Sequence, residues 1–188
     1  MNSGDDVNGL GKEIRRAVAK TYNWINFLPK EIEPISLSEK ELDKFTGRYK
    51  MSEDEVLSLK RENNYLVEKI NEGTDIYCFP IAKDTIVFTD YNVKGFFQTN
   101  EKGEVISLQN IWQQKPMMKM KEDESSPSEY LKLRKYDEAT NDFRQLKMNE
   151  YRITYLAYDL MNKKPLDKDH VKTILELAVE QNPTSSIV

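Results

Sequence analysis

The side chains able to do chemistry are few and scattered. Cys78 is the only cysteine and His170 the only histidine. A nucleophilic pair would need the two to meet in space. Cys78 sits in the apolar run Ile76-Tyr77-Cys78-Phe79, whereas His170 stands among Lys168, Asp169 and Lys172 in a helical pattern. Buried thiols are inert, so Cys78 reads as core. A lone cysteine forms no internal disulfide and leaves the redox compartment undecided. One histidine and one cysteine, with no acidic loop of calcium spacing, supply no metal-ligand set and no resident cofactor. The acids Glu53, Asp54 and Glu55, and Asp84 with Asp90, fall at expected turns. Carboxylates there are solvated, and only strongly raised pKa values inside a cleft would give them acid–base work. The remaining candidates are rings: Tyr65, Tyr77, Phe79, Phe88, Phe96, Phe97 and Trp112. They either line a cavity for a small apolar ligand or make an ordinary packed core.

Those rings belong to a stretch, Leu42 to Met120, that reads as short strands joined by polar turns. Eight strands are expected, over 48–52, 55–61, 65–70, 75–82, 85–89, 93–99, 104–113 and 116–120. Asn63-Asn64, Asn71-Glu72-Gly73, Lys83-Asp84, Asp90-Tyr91-Asn92 and Asn100-Glu101-Lys102-Gly103 are the punctuating turns. No helical stretch long enough for a parallel crossover intervenes, so the strands are antiparallel. Eight such strands with one apolar face need closure or a second sheet, and an up-and-down barrel solves this and removes the exposed edges. A barrel of that size is filled by side chains or holds one small ligand.

On either side the period is helical. Leu10, Ile14, Val18, Tyr22, Ile25 and Leu28 recur at helical spacing, and Pro29 and Pro34 break the pattern. Ser38 with Glu41 three residues on reads as a capping box, with Leu37, Leu42 and Phe45 stapling the short helix to the core. Residues 122–128 read as an acidic, Ser/Pro-rich linker. Beyond it Tyr130 to Leu146 forms a helical stripe interrupted near Arg134-Lys135. Helices follow over 152–161 and from the cap Asp167 through Ala178, with Pro165 between them. The expected class is therefore α+β: an N-terminal helix and linker (1–34), a barrel (35–121) and a helical region (122–188).

Composition narrows the function classes. Hydrophobic residues are 38% and charged residues 32%, with a net charge of −4. The isoelectric point is about 5.3, far from the basic footprint of a nucleic-acid binder. The most basic short stretch, Lys115 to Lys121, runs straight into Glu122, Asp123 and Glu124. No apolar run approaches the ~18 residues that span a membrane. Met1-Asn2-Ser3-Gly4-Asp5-Asp6 lacks the basic start and apolar core of a secretion signal.

Leu37-Ser38-Glu39-Lys40-Glu41-Leu42, followed by Phe45-Thr46-Gly47-Arg48-Tyr49, resembles the opening of a lipocalin-like domain. That domain is found C-terminal to penicillin-binding-protein and serine β-lactamase-like hydrolases. Phe79-Pro80, Ile86-Val87-Phe88 and Gly103-Glu104-Val105 fit the same pattern, so the resemblance covers about residues 35–120. Met1–Asp6 looks like the last strand and turn of such a hydrolase, and Leu10 to Trp24 like its closing helix. The tail resembles a tetratricopeptide pair: Lys135 to Phe143 matches the start of a second repeat helix, and Ala178 and Pro183 stand as at a repeat's close. The hydrolase chemistry requires Ser-x-x-Lys, Tyr-x-Asn and Lys-Thr-Gly or His-x-Gly, and none of these occurs. The resemblance thus implies a non-catalytic accessory region of an exported, periplasmic bacterial enzyme. Its implied partners are the hydrolase domain and, through the tail, a second copy or another protein. A barrel lined by Tyr65, Tyr77, Phe79, Phe88, Phe97 and Trp112, holding an apolar or peptidoglycan-derived molecule, is the alternative.

Overall fold

A computed structural model describes residues 9–28, 32–71, 73–90 and 92–186. The strand and turn expected at Met1–Asp6, the helix-breaking Pro29 and the turn residues Glu72 and Tyr91 lie outside the described residues. The chain forms two compact units, Met1–Pro34 and Ile35–Val188.

In the first unit, helix α1 spans Gly9–Thr21. The helix expected to reach Leu28 stops about two turns short. Asn23 adopts a left-handed backbone (φ 56°), which asparagine tolerates and which ends a helix. A single 3₁₀ turn, Ile25–Phe27, follows.

The second unit opens on the short helix α2, Glu39–Asp43. Its expected capping box is present: Ser38 Oγ accepts from the Glu41 backbone N–H, while the Glu41 carboxylate accepts from the Ser38 N–H at 2.8 Å. Eight strands follow: β1 (Gly47–Lys50), β2 (Val56–Glu62), β3 (Tyr65–Ile70), β4 (Ile76–Ala82), β5 (Thr85–Phe88), β6 (Val93–Thr99), β7 (Val105–Asn110) and β8 (Met117–Lys119). Each pairs antiparallel with the next, and β8 closes on β1 through Tyr49↔Lys119 and Lys50↔Met118. The result is a closed up-and-down barrel, consistent with a lipocalin-like fold. Closure leaves no free edge, which explains why strands as short as β8 persist.

Turn chemistry sets the strand ends. Asn63, Asn71 and Asn92 all take left-handed conformations (φ 52°, 48° and 52°). At the β6–β7 hairpin Asn100 Oδ1 accepts from the N–H groups of Lys102 and Glu104, and Gly103 supplies φ 76°. β7 ends three residues earlier than expected. Asn110 Oδ1 accepts from the Trp112 and Gln113 N–H groups at 2.9 and 3.1 Å, and this side-chain turn withdraws both donors from the ladder.

Period-2 alternation fills the interior. Tyr49, Leu57, Leu59, Leu66, Cys78, Ile86, Phe88, Phe97, Leu108 and Met117 form one buried cluster with Leu42 and Phe45 from the α2 region. The Phe45 and Phe97 rings stack at 4.2 Å, and the buried Tyr49 hydroxyl donates to the Phe45 carbonyl at 2.7 Å. α2 therefore closes one end of the barrel. Arg61 clamps it to β2 through Asp43 (2.6 Å) and Glu39 (3.4 Å).

Four helices complete the unit: α3 (Pro127–Lys132), α4 (Tyr136–Leu146), α5 (Glu150–Asn162) and α6 (Lys168–Gln181). The interruption expected near Arg134 is a left-handed residue (φ 58°). Asp167 caps α6 by accepting from the Asp169 and His170 N–H groups. Leu131, Phe143, Ile153, Ala157, Ile174 and Leu177 form a second core, distinct from that of the barrel.

Candidate functional site

The sequence candidates for chemistry do not converge. Cys78 is fully buried in the barrel cluster, where burial pushes its thiol far above the ordinary value. His170 lies on α6, edge-on to the Tyr136 ring at 5.5 Å and 3.8 Å from the Asp167 carboxylate. The two therefore lie in different parts of the unit, Cys78 in the barrel and His170 on α6. Among the described residues no three His, Cys, Asp or Glu side chains gather as a metal site.

The acids at the first turn part company. Glu53 pairs with Lys50 at 2.8 Å. Asp54 is buried and accepts from the Ser128 N–H (2.7 Å) and hydroxyl (2.6 Å). Burial raises its carboxyl pKa, while these bonds pull it back down. Its partners lie at the start of α3, so this carboxylate joins the barrel to the helices. Beside it Arg48 donates to the Glu124 carbonyl at 2.7 Å and ion-pairs with Glu129. Asp84 accepts from its neighbour Thr85 at 2.8 Å, and Asp90 is exposed.

The reading of residues 122–128 as a linker is corrected here. Ser126 is the N-cap of α3, Pro127 occupies its first turn, and Glu129 completes a second capping box. The Ser-Pro-x-Glu signature was visible in the sequence. What the sequence did not show is that Asp54 and Arg48, more than seventy residues away, bind the same turn. Two grooves of about 520 Å³ flank this junction. One lies among Lys50, Glu53, Met120, Glu124 and Gln145, the other among Asp54, Asn71, Ser128, Arg152 and Asp159.

The six rings expected to line the barrel are likewise divided. Phe88 and Phe97 point inward and are core. Tyr65, Tyr77 and Phe79 alternate with the inward Leu66 and Cys78 and so face outward. Their rings meet outside, Tyr65 lying 5.4 Å from Tyr77 and 5.6 Å from Phe79. Trp112 lies past the end of β7, 56% exposed. Phe96 is on the outer face as well. The interior between Phe88 and Leu108 is tight: a Cβ on Gly95 would stand 2.8 Å from the Phe88 ring and 3.0 Å from Leu108 Cδ1.

An exposed aromatic group lies in the first unit. The rings of Tyr22, Trp24 and Phe27 meet in sequence, tilted to one another, with centroids 5.8 and 5.9 Å apart. Trp24 is 52%, Phe27 69% and Ile25 71% exposed, and Ile14 and Val18 of α1 are open as well. A groove of about 570 Å³ runs along Asn23 to Phe27. Exposed apolar runs of this size mark interaction surfaces or ligand grooves in proteins generally. No described helix is long and apolar enough to cross a membrane. In comparisons with known proteins, the chain matches no family model and no curated protein.

Proposed function

We propose that the chain is a non-catalytic accessory region of a β-lactamase-related serine hydrolase, acting by domain packing and assembly. The observation that carries this reading is the exposed Tyr22–Trp24–Ile25–Phe27 surface, which is too apolar to be left in water. Its occupant, on the family resemblance, is the hydrolase domain, and the whole protein is exported to the bacterial periplasm. Three further features support the reading. The closed barrel fits the lipocalin-like domain that the Leu37–Tyr49 motif resembles. Its interior rings are spent on packing one another. The helical region, read as tetratricopeptide-like, carries Tyr151, Tyr155 and Tyr158 at i, i+4 and i+7, all exposed, on the side of α5 opposite its buried Ile153 and Ala157. Such a stripe is suited to a protein partner.

The test is association with a serine hydrolase domain bearing Ser-x-x-Lys and Tyr-x-Asn, encoded beside this chain. Isothermal titration should give binding that Trp24→Ser with Phe27→Ser weakens at least tenfold, with the barrel's thermal transition unmoved. Equal binding by the double variant, or none by the native chain, would overturn the reading.

A further inference from the structure

Glu68 is an acid inside the barrel. It lies on the inward face of β3 between Leu66 and Ile70 and is 2% exposed. Its Oε2 has no hydrogen-bond partner. Its register partners are Leu59 on β2 and Ile76 on β4. Two titratable groups influence it: Cys78 from β4 and Asp90 from the turn after β5. Neither is a cation. From β2 the facing residue is Leu59, and the neighbouring Lys69 is engaged with Asp75 at 2.9 Å.

Its place in the ladder is equally telling. β3 pairs with β4 only at Leu66↔Cys78, Val67↔Tyr77 and Glu68↔Ile76, whereas β3 stays on β2 as far as Ile70. Glu68 therefore occupies the last rung before the two strands part, at the end of the barrel away from α2. A charged, unpaired carboxylate in this position is too costly to keep dry. It either stays protonated or draws water in. Burial, with Asp90 beside it, raises its carboxyl to about 7.

We propose that Glu68 makes this end of the barrel a proton-controlled mouth: neutral, it holds the last β3–β4 rung shut over Cys78, and ionised, it opens that rung to water. Because Cys78 is the only cysteine and is fully buried, it reports the opening directly.

The experiment measures alkylation of Cys78 by a maleimide in the full chain from pH 5.5 to 8.5. Each rate is divided by that of the denatured chain at the same pH, which removes the thiol's own titration. Protection should fall by up to about tenfold per pH unit from pH 5.5 to the Glu68 titration near 7 and level off above it. In Glu68→Gln it should stay flat. In Asp90→Asn, an exposed change that removes the neighbouring negative charge, the fall should level off at lower pH. Flat protection in the native chain, or the same fall in Glu68→Gln, overturns the proposal. If Glu68→Gln does not fold, Asp90→Asn decides: a displaced profile supports the mouth and an unmoved one rejects it.

Discussion

At Glu68 the alternation of β3 turns an acid inward, and the consequence is a stability that depends on pH. The folded-state pKa of about 7 lies above the ordinary 4.5, so the folded chain holds a proton that the unfolded chain has released. The stabilisation is complete below about pH 4.5 and is lost as pH rises through 7. At about 1.4 kcal/mol per pH unit the loss is on the order of 3–4 kcal/mol. Glu68→Gln keeps the neutral shape, so urea unfolding at pH 8 should find it more stable than the native chain by roughly that amount. At pH 4.5 the two should be equal. Gly95 is the second residue with a sharp expectation. Phe88 and Leu108 already fill the space that a Cβ would take, so Gly95→Ala should cost about 1–3 kcal/mol through overpacking. A neutral result in thermal unfolding would mean that the interior has slack beside Phe88.

Among the elements, α3 is the piece on which the junction depends. Six residues are too few for a helix to hold itself. The Ser126 cap, Pro127 in the first turn and the incoming Asp54 and Arg48 supply what length does not. Ser126→Ala should cost about 1 kcal/mol. A double-mutant cycle of Asp54→Asn with Ser128→Ala should show coupling of about 1–2 kcal/mol, because the bond is buried and charge-assisted. Additive losses would mean that barrel and helices are joined elsewhere. The element scale is also where sequence reading did best. Eight strands, the α2 capping box, the Asp167 cap and the Arg134 break were all legible, because each is fixed by local period or by a side chain bonding its own turn. The α1 end at Thr21 and the β7 end at Asn110 were not legible. A left-handed asparagine in one and an asparagine side-chain turn in the other overrode apolar periods that ran on.

In the second unit as a whole, two cores are joined through polar contacts. The barrel cluster and the helical cluster share no buried side chain. Phe143→Ala should remove about 3–5 kcal/mol from the helical core, and hydrogen exchange should locate the damage. Amides of α4 to α6 are expected to exchange faster, while those of β2 and β3 keep their protection. Loss of protection throughout would show that the two cores unfold as one.

The sequence by itself determined the succession of elements, the class and the closure of the barrel, because side-chain period and turn residues are local properties of the chain. It also determined that the motifs of serine hydrolase catalysis do not occur here. Only the tertiary structure decided which way each side chain of a strand points. That choice sent Phe88 and Phe97 inward, left Tyr65, Tyr77 and Phe79 outside, and buried Glu68 at the last rung. Shifting a strand by one residue exchanges its faces without altering its composition. Register is fixed by partners distant along the chain, so it had to be seen in three dimensions.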